Sequence, residues 1–282
     1  MRIVIVTHNS DRHFYFCNKL IENTDTVVGV ITGAKYNYSP KLTKIKKALR
    51  NFFPLVNKFF LDLLYKKWGQ RLTKEKIDTE EIFFNNQKNY FQSNYKDLLI
   101  GEVRQETGSI NNDSFVKRIR DENPDVIIVM GTCLLGKDII NSAQYVLNIH
   151  TGLSPYYRGG NTNFWPFIFK EFDHFGVTVH KLSTGIDSGD IIYNRQVSFE
   201  NGDTYSSINC KAIILGTELM IKAIKDIEEK DINFIPQWEK GRLFLNMHFN
   251  NLIVKRYFNV LENDIYSQFK EIESTKSEIK TY

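Results

Sequence analysis

Over the first two hundred residues, short β-branched runs alternate with longer segments whose apolar residues recur at helical spacing. Val4 to Thr7 and Val27 to Gly33 flank Asp11 to Asn23, where Phe14, Cys17, Leu20 and Ile21 share one helical face, so the chain opens as β-α-β. After Pro124, Asp125 to Gly131 (D-V-I-I-V-M-G) is nearly continuous in apolar residues, the pattern of a parallel strand covered on both faces. Further strands are predicted over Val146 to His150, Val177 to Leu182 and Ile191 to Phe199, separated by a helix from Asn161 to Lys170 and a turn, T-G-I-D-S-G-D. Thr204 to Lys230 reads as one long amphipathic helix. This alternation predicts an α/β fold, a Rossmann-like doubly wound and mostly parallel sheet, with ligands expected outside the carboxyl ends of its strands.

Two segments stand apart from that scheme. Residues 41–76 form a helical basic insert: eleven Lys and Arg against Asp62 and Glu75 give +9, so the rest of the +4 chain carries about −5. Leu42, Ile45, Leu49, Phe52, Val56, Phe59 and Leu63 make an i, i+3/i+4 stripe interrupted at Pro54, which suits the start of a second helix. Such a stripe is expected to lie on the core beneath a solvated Lys-rich face; the other reading is attraction to an anionic membrane or a phosphorylated ligand. The expected division is a catalytic domain over 1–235 and a C-terminal extension over 236–282, with a strand-like G-R-L-F-L, a helix from about Leu252 to Glu271 and a polar tail. Its apolar stretch Phe244 to Val260 is a candidate for packing on the domain or for forming a homodimer, and we lean to the dimer.

Composition excludes more than it selects. Hydrophobic residues make up 42% and charged residues 25%, which rules out a disordered or low-complexity chain, and a net charge of +4 gives no ground for a nucleic-acid partner. Cys17, Cys133 and Cys210 are widely separated, which argues against a disulfide framework or thiolate metal site and for a reducing, cytoplasmic setting. No signal peptide and no apolar run long enough for an integral membrane span is apparent.

The chemistry concentrates between Asn148 and Asp190. Asn148 and His150 stand two apart at a strand end, so both side chains point to one face where a ligand is expected. T-G-L-S-P-Y-Y-R-G-G follows, dense in turn formers and polar groups. Gly185 and Gly189 bracket Asp187 on a turn that could bring its carboxylate to the imidazole. An amide, an imidazole and a carboxylate without an evident Ser or Cys nucleophile suggest direct transfer instead of a covalent enzyme intermediate. His8, His13, His174 and His248 lack ligand spacing, so no metal is expected.

Asn148-x-His150, S-P-x-Y-R-G (Ser154 to Gly159), G-V-T-V-H (Gly176 to His180) and G-I-D-S-G-D-I (Gly185 to Ile191), in this order and spacing, resemble the tetrahydrofolate-dependent formyltransferase family. The resemblance covers roughly residues 1–200. It implies transfer of a formyl group from N10-formyltetrahydrofolate to a primary amine, with Asn148, His150 and Asp187 as the catalytic trio: amide and protonated imidazole as oxyanion donors, and the carboxylate orienting His150 and aiding proton relay. It further implies that main-chain groups around Met130, Gly131, Leu134 and Leu135, and the loop with Ser183 and Ile186, hold the pterin. Asp190 competes with Asp187 for the carboxylate role, and the family pattern favours the first. His180 is expected to face the core or the loop beneath the site. Phe164 and Trp165 read as packing residues.

Departures within the family narrow the acceptor. The glycinamide ribonucleotide enzymes carry a Gly-rich phosphate loop after strand one, where this chain has Thr7-His8-Asn9-Ser10-Asp11. The methionyl-tRNA enzymes carry a basic C-terminal barrel, where this sequence has about 45 residues after Pro236 with a tail that is not basic. A small-molecule nucleotide-linked amino sugar, of the kind used for surface polysaccharides, fits best, with His8, Asn9, Arg158 and Gly159 as substrate-binding candidates. Alternatives are another small amine or methionyl-tRNA as acceptor, a formyltetrahydrofolate hydrolase, and a folate-binding module at a membrane surface.

Overall fold

The computed structural model describes residues 1–34, 52–183, 185–265 and 279–282. In chain order the elements are β1 (Ile3–Thr7), α1 (Asp11–Asn23), β2 (Val27–Thr32), α2 (Phe52–Leu64), α3 (Lys66–Phe84), α4 (Gln87–Asn94), β3 (Leu99–Glu102), α5 (Asp113–Asp121), β4 (Val126–Met130), α6 (Lys137–Ile140), β5 (Tyr145–His150), β6 (Tyr157–Gly159), α7 (Trp165–Phe169), β7 (Gly176–Lys181), β8 (Ile191–Gln196), α8 (Tyr205–Glu228), β9 (Arg242–Phe244) and α9 (Asn251–Val260). Seven strands form one sheet in the order β3-β2-β1-β4-β5-β7-β8, parallel from β3 to β5 and antiparallel at β7 and β8. The sheet is therefore the doubly wound, mostly parallel one that the alternation of elements predicts.

Strand composition follows from burial on both faces. Ile3, Ile5, Val126, Ile128, Leu147 and Ile149 point into a core shared with α1, α8 and α9, whereas Val4, Val6, Ile127, Val129 and Val146 point to the opposite core under α5. Helix α8 begins at a capping box in which the Thr204 hydroxyl accepts from the Ser207 N–H and the Ser207 hydroxyl accepts from the Thr204 N–H. It lies close against the sheet at Gly216, where an added Cβ would come within 2.6 Å of Val177 and 3.2 Å of Ile149. The two strands beneath it, β5 and β7, carry Asn148, His150 and His180.

Several expectations change. The predicted helix Asn161 to Lys170 shortens to α7, because Asn161 and Lys170 adopt left-handed backbone (φ 54° and 58°). Strands β3 and β6 were not anticipated; both are short, and Gly101 is the only buried residue of β3. The favoured reading of the insert is overturned: Phe59 and Leu63 of the stripe are 65% and 60% exposed. Leu42, Ile45 and Leu49, the Phe52 side chain and the predicted helix beyond Ile265 lie outside the described residues. Part of the stretch Phe244 to Val260 packs on the domain: Val254, Tyr257 and Phe258 are buried in the same core as Phe164 and Phe167. Among the described residues no helix is long and apolar enough to cross a membrane.

Candidate active site

Adjacent strands β1 and β4 leave the sheet in opposite directions, and a cleft of about 520 Å³ opens at their carboxyl ends, bounded by the start of α1, the segment Met130 to Lys137 and the end of β5. Asn148, His150 and Asp187 all line it, as do Met130, Gly131, Leu134, Leu135, Ser183 and Ile186. Of the four substrate-binding candidates only Gly159 does; His8, Asn9 and Arg158 do not. The Arg158 guanidinium donates to the Lys240 carbonyl (3.2 Å), which ties β6 to the segment leading into β9. The His8 ring packs edge-on against His13.

The cleft's polar wall is built by strand register. Asn148 lies directly opposite His180 across the antiparallel β5–β7 pair, and the Asn148 amide nitrogen is 3.0 Å from His180 Nε2. His180 Nδ1 is 2.9 Å from the Lys181 carbonyl, an obligate acceptor, so we assign the proton to Nδ1, which leaves Nε2 to accept from Asn148. This orients the amide and leaves its second N–H available. His150 Nε2 is 3.1 Å from the Tyr157 carbonyl and takes the N–H by the same reasoning, which turns the Nδ1 lone pair towards Asp187 Oδ2 at 3.4 Å. Asp187 also stands 3.6 Å from His180 and accepts the Gly159 N–H at 2.9 Å.

Burial pushes the His150 imidazole down, and the pull of the Asp187 carboxylate recovers only part of it, so the ring is held below its ordinary pKa of 6.5. Burial acts to raise Asp187, but the attraction of the carboxylate to the imidazole charge that His150 and then His180 gain on protonation, together with the Gly159 N–H, outweighs it and holds the carboxyl below its usual range. The resting pair is then a neutral imidazole facing a carboxylate, where the sequence led us to expect a protonated His150. Together the two groups can receive one proton at Nδ1 and stabilise it there.

The loop carrying Asp187 is braced from the C-terminal segment. Gln237 donates from its amide nitrogen to the carbonyls of Asp187 and Gly189, both at 2.9 Å. Asp187 sits in left-handed backbone (φ 44°), which aspartate tolerates better than most residues. Gly159 (φ 95°) approaches the Phe244 carbonyl so closely that a Cβ would overlap it. Neither Gln237 nor the Tyr157 carbonyl was legible in the sequence: one lies 50 residues from its partner and the other is a main-chain group.

The other walls suit a flat heteroaromatic ligand. Leu134 is 72% exposed beside the cleft, and Leu135, Ile140, Leu182 and Ile186 add apolar surface next to main-chain donors and acceptors. A pterin, apolar on its faces and hydrogen-bonding along its edge, fits that combination. Among the described residues no group of three His, Cys, Asp or Glu is arranged to hold a metal ion.

Comparison with known proteins gives the family and the fold. A family described as "Formyl transferase" matches residues 67–224, 158 of the 282 residues, and the chain belongs to the tetrahydrofolate-dependent formyltransferases. A methionyl-tRNA formyltransferase of Halothermothrix orenii is 32% identical over 126 residues, covering 44% of this chain and 40% of that protein. The match thus spans well under two thirds of that curated relative. Among solved structures, a sugar N-formyltransferase from Shewanella shares the fold with a TM-score of 0.56 at 13% identity, over 93% of this chain and 88% of that one. An N-formyltransferase from Helicobacter canadensis, solved with folinic acid and dTDP-3-aminofucose, gives 0.54 at 14% identity, over 95% and 82%.

Proposed function

We propose that this protein transfers a formyl group from N10-formyltetrahydrofolate to the primary amine of a nucleotide-linked amino sugar. The observation that carries the reading is the convergence of Asn148, His150 and Asp187 on one wall of a cleft whose other walls are apolar and rich in main-chain groups. Met130, Gly131, Leu134, Leu135, Ser183 and Ile186 would hold the folate, which when bound supplies an electrophilic formyl carbon. Asn148 directs its second N–H at the oxygen that gains charge as the amine adds, an interaction worth about 3 kcal/mol. His150 Nδ1 takes the proton that the amine nitrogen must lose, Asp187 stabilises the resulting imidazolium, and the same proton passes to the departing nitrogen. One proton leaves one nitrogen and reaches the other, so the residues end as they began.

An amino sugar on a nucleoside diphosphate accords with the positive charge of Lys137 at the cleft, where Arg12 is paired with Glu80 (2.7 Å), and with the ligand of the Helicobacter canadensis neighbour. The expected setting is synthesis of surface polysaccharide in the cytoplasm. Purified protein incubated with N10-formyltetrahydrofolate and a panel of nucleotide-linked amino sugars should yield a product about 28 mass units heavier, the gain of CO on acyl transfer to an amine. Turnover on methionyl-tRNA with none across the panel rejects the sugar reading, and formate release without any amine identifies a hydrolase.

A further inference from the structure

Helix α2 is attached to the molecule by its polar side. The Asp62 carboxylate accepts the main-chain N–H of Asn251 at the start of α9 (2.8 Å), the Asp62 carbonyl accepts the Asn251 side-chain amide (2.8 Å), and Lys58 pairs with the same carboxylate (2.6 Å). The opposite side is apolar and open: Leu55, Phe59, Phe60, Leu63 and Leu64 are 43%, 65%, 55%, 60% and 74% exposed. At about 100° per residue these five, with half-buried Val56 among them, fill roughly half the circumference of the helix. A surface helix ordinarily presents the reverse arrangement, and a continuous exposed apolar face of this kind marks a contact surface.

Charge identifies the partner. Between residues 52 and 76 there are six cations, Lys58, Lys66, Lys67, Arg71, Lys74 and Lys76, and two anions, Asp62 and Glu75. Lys58 is spent on Asp62, Arg71 on Glu262 (2.7 Å), and Glu75 is turned towards the Ser206 hydroxyl (2.6 Å), so the exposed Lys66, Lys67 and Lys74 carry the positive charge of the outer surface. Lys66 and Lys67 follow the last turn of α2 directly and are exposed. A second copy of this chain would bring the same cations against these, whereas an anionic bilayer offers both hydrocarbon and negative charge. We propose that α2 is a membrane-surface anchor: its apolar face beds into the headgroup and upper acyl region of an anionic bilayer, and Lys66 and Lys67 meet the lipid phosphates. The assignment concerns a face remote in sequence from the residues given to catalysis and does not depend on the reaction proposed above.

Flotation of the full-length protein with phosphatidylcholine vesicles, with and without a third of phosphatidylglycerol, tests it. The protein should rise with the anionic vesicles only and be released by high salt. Phe59→Ser with Phe60→Ser should remove at least about a hundredfold of the partitioning, since two aromatic side chains no longer enter the bilayer. Lys66→Gln with Lys67→Gln should remove about thirtyfold. Both double variants should keep the melting temperature and formyl transfer of the parent, which separates anchoring from folding and from activity. Protein that stays at the bottom of the gradient, or that binds neutral and anionic vesicles alike, overturns the proposal. So does a dimer, measured by light scattering, that Phe59→Ser with Phe60→Ser converts to monomer.

Discussion

His150 gives its Nε2 hydrogen to a carbonyl and faces a carboxylate with Nδ1, so its protonation state controls the proposed reaction. Because its pKa is held below 6.5, kcat/KM should rise with pH through a value under 6.5 and then level, and Asp187→Asn should weaken the paired cation and lower that value further. A profile that instead falls as the pH passes from 6 to 7 would contradict a neutral His150 base. Asn148→Ala should lower kcat about a hundredfold to a thousandfold while leaving folate binding, read by fluorescence titration, nearly intact. The same shifts act on folding. Both folded-state pKa values lie below the unfolded ones, so each group contributes stability at higher pH that is lost on acidification, His150 from about 6.5 downward and Asp187 from about 3.9 downward. Melting curves between pH 7 and 5 should therefore show the parent losing more than His150→Gln. The pairing of Asn148 with His150 was legible because period-2 geometry is local. The contact of Asn148 with His180 was not, since it depends on the register of two strands 32 residues apart in sequence.

Elements with strong internal signals were legible, and those held by neighbours were not. Helix α8 runs Tyr205–Glu228 against a prediction of Thr204 to Lys230, because a capping residue starts it and its apolar periodicity is sustained over many turns. Thr204→Ala should cost about 1 kcal/mol, visible as a lower melting temperature with unchanged turnover. Strands β6 and β9, of three residues each, pair only because the chain returns from α8 to lie beside the site loop. On the same return path Gln237 bonds two carbonyls of the Asp187 turn. Gln237→Leu keeps the volume and removes both donors; kcat should fall roughly tenfold with a small change in KM, since the turn loses its brace and not its ligand groups. An equal loss in Asn148→Ala and in the Asn148→Ala, Gln237→Leu double variant would place both residues in one unit.

At the scale of the molecule, one continuous core joins the sheet, α8 and α9. Tyr257 is fully buried, accepts the Tyr205 N–H at 2.9 Å and packs against Phe164 and Phe167. Tyr257→Ala should cost about 3 to 5 kcal/mol and lower the single unfolding transition of the whole chain; an unchanged main transition would show that residues beyond 236 fold apart. The doubly wound plan was legible at this scale because strand patterning specifies it, whereas the outward face of α2 was not, since periodicity shows that a helix has two sides and does not show which side is turned away. The small β6–β9 ribbon has a consequence for modularity. One of its strands supplies both the Tyr157 carbonyl to the imidazole and the Gly159 N–H to the carboxylate, and its other strand comes from beyond residue 240. A chimaera that grafts this reaction centre onto a relative's scaffold must bring the distant ribbon strand with it, so exchange of specificity by recombination has its natural crossover outside that pair and never between its two members.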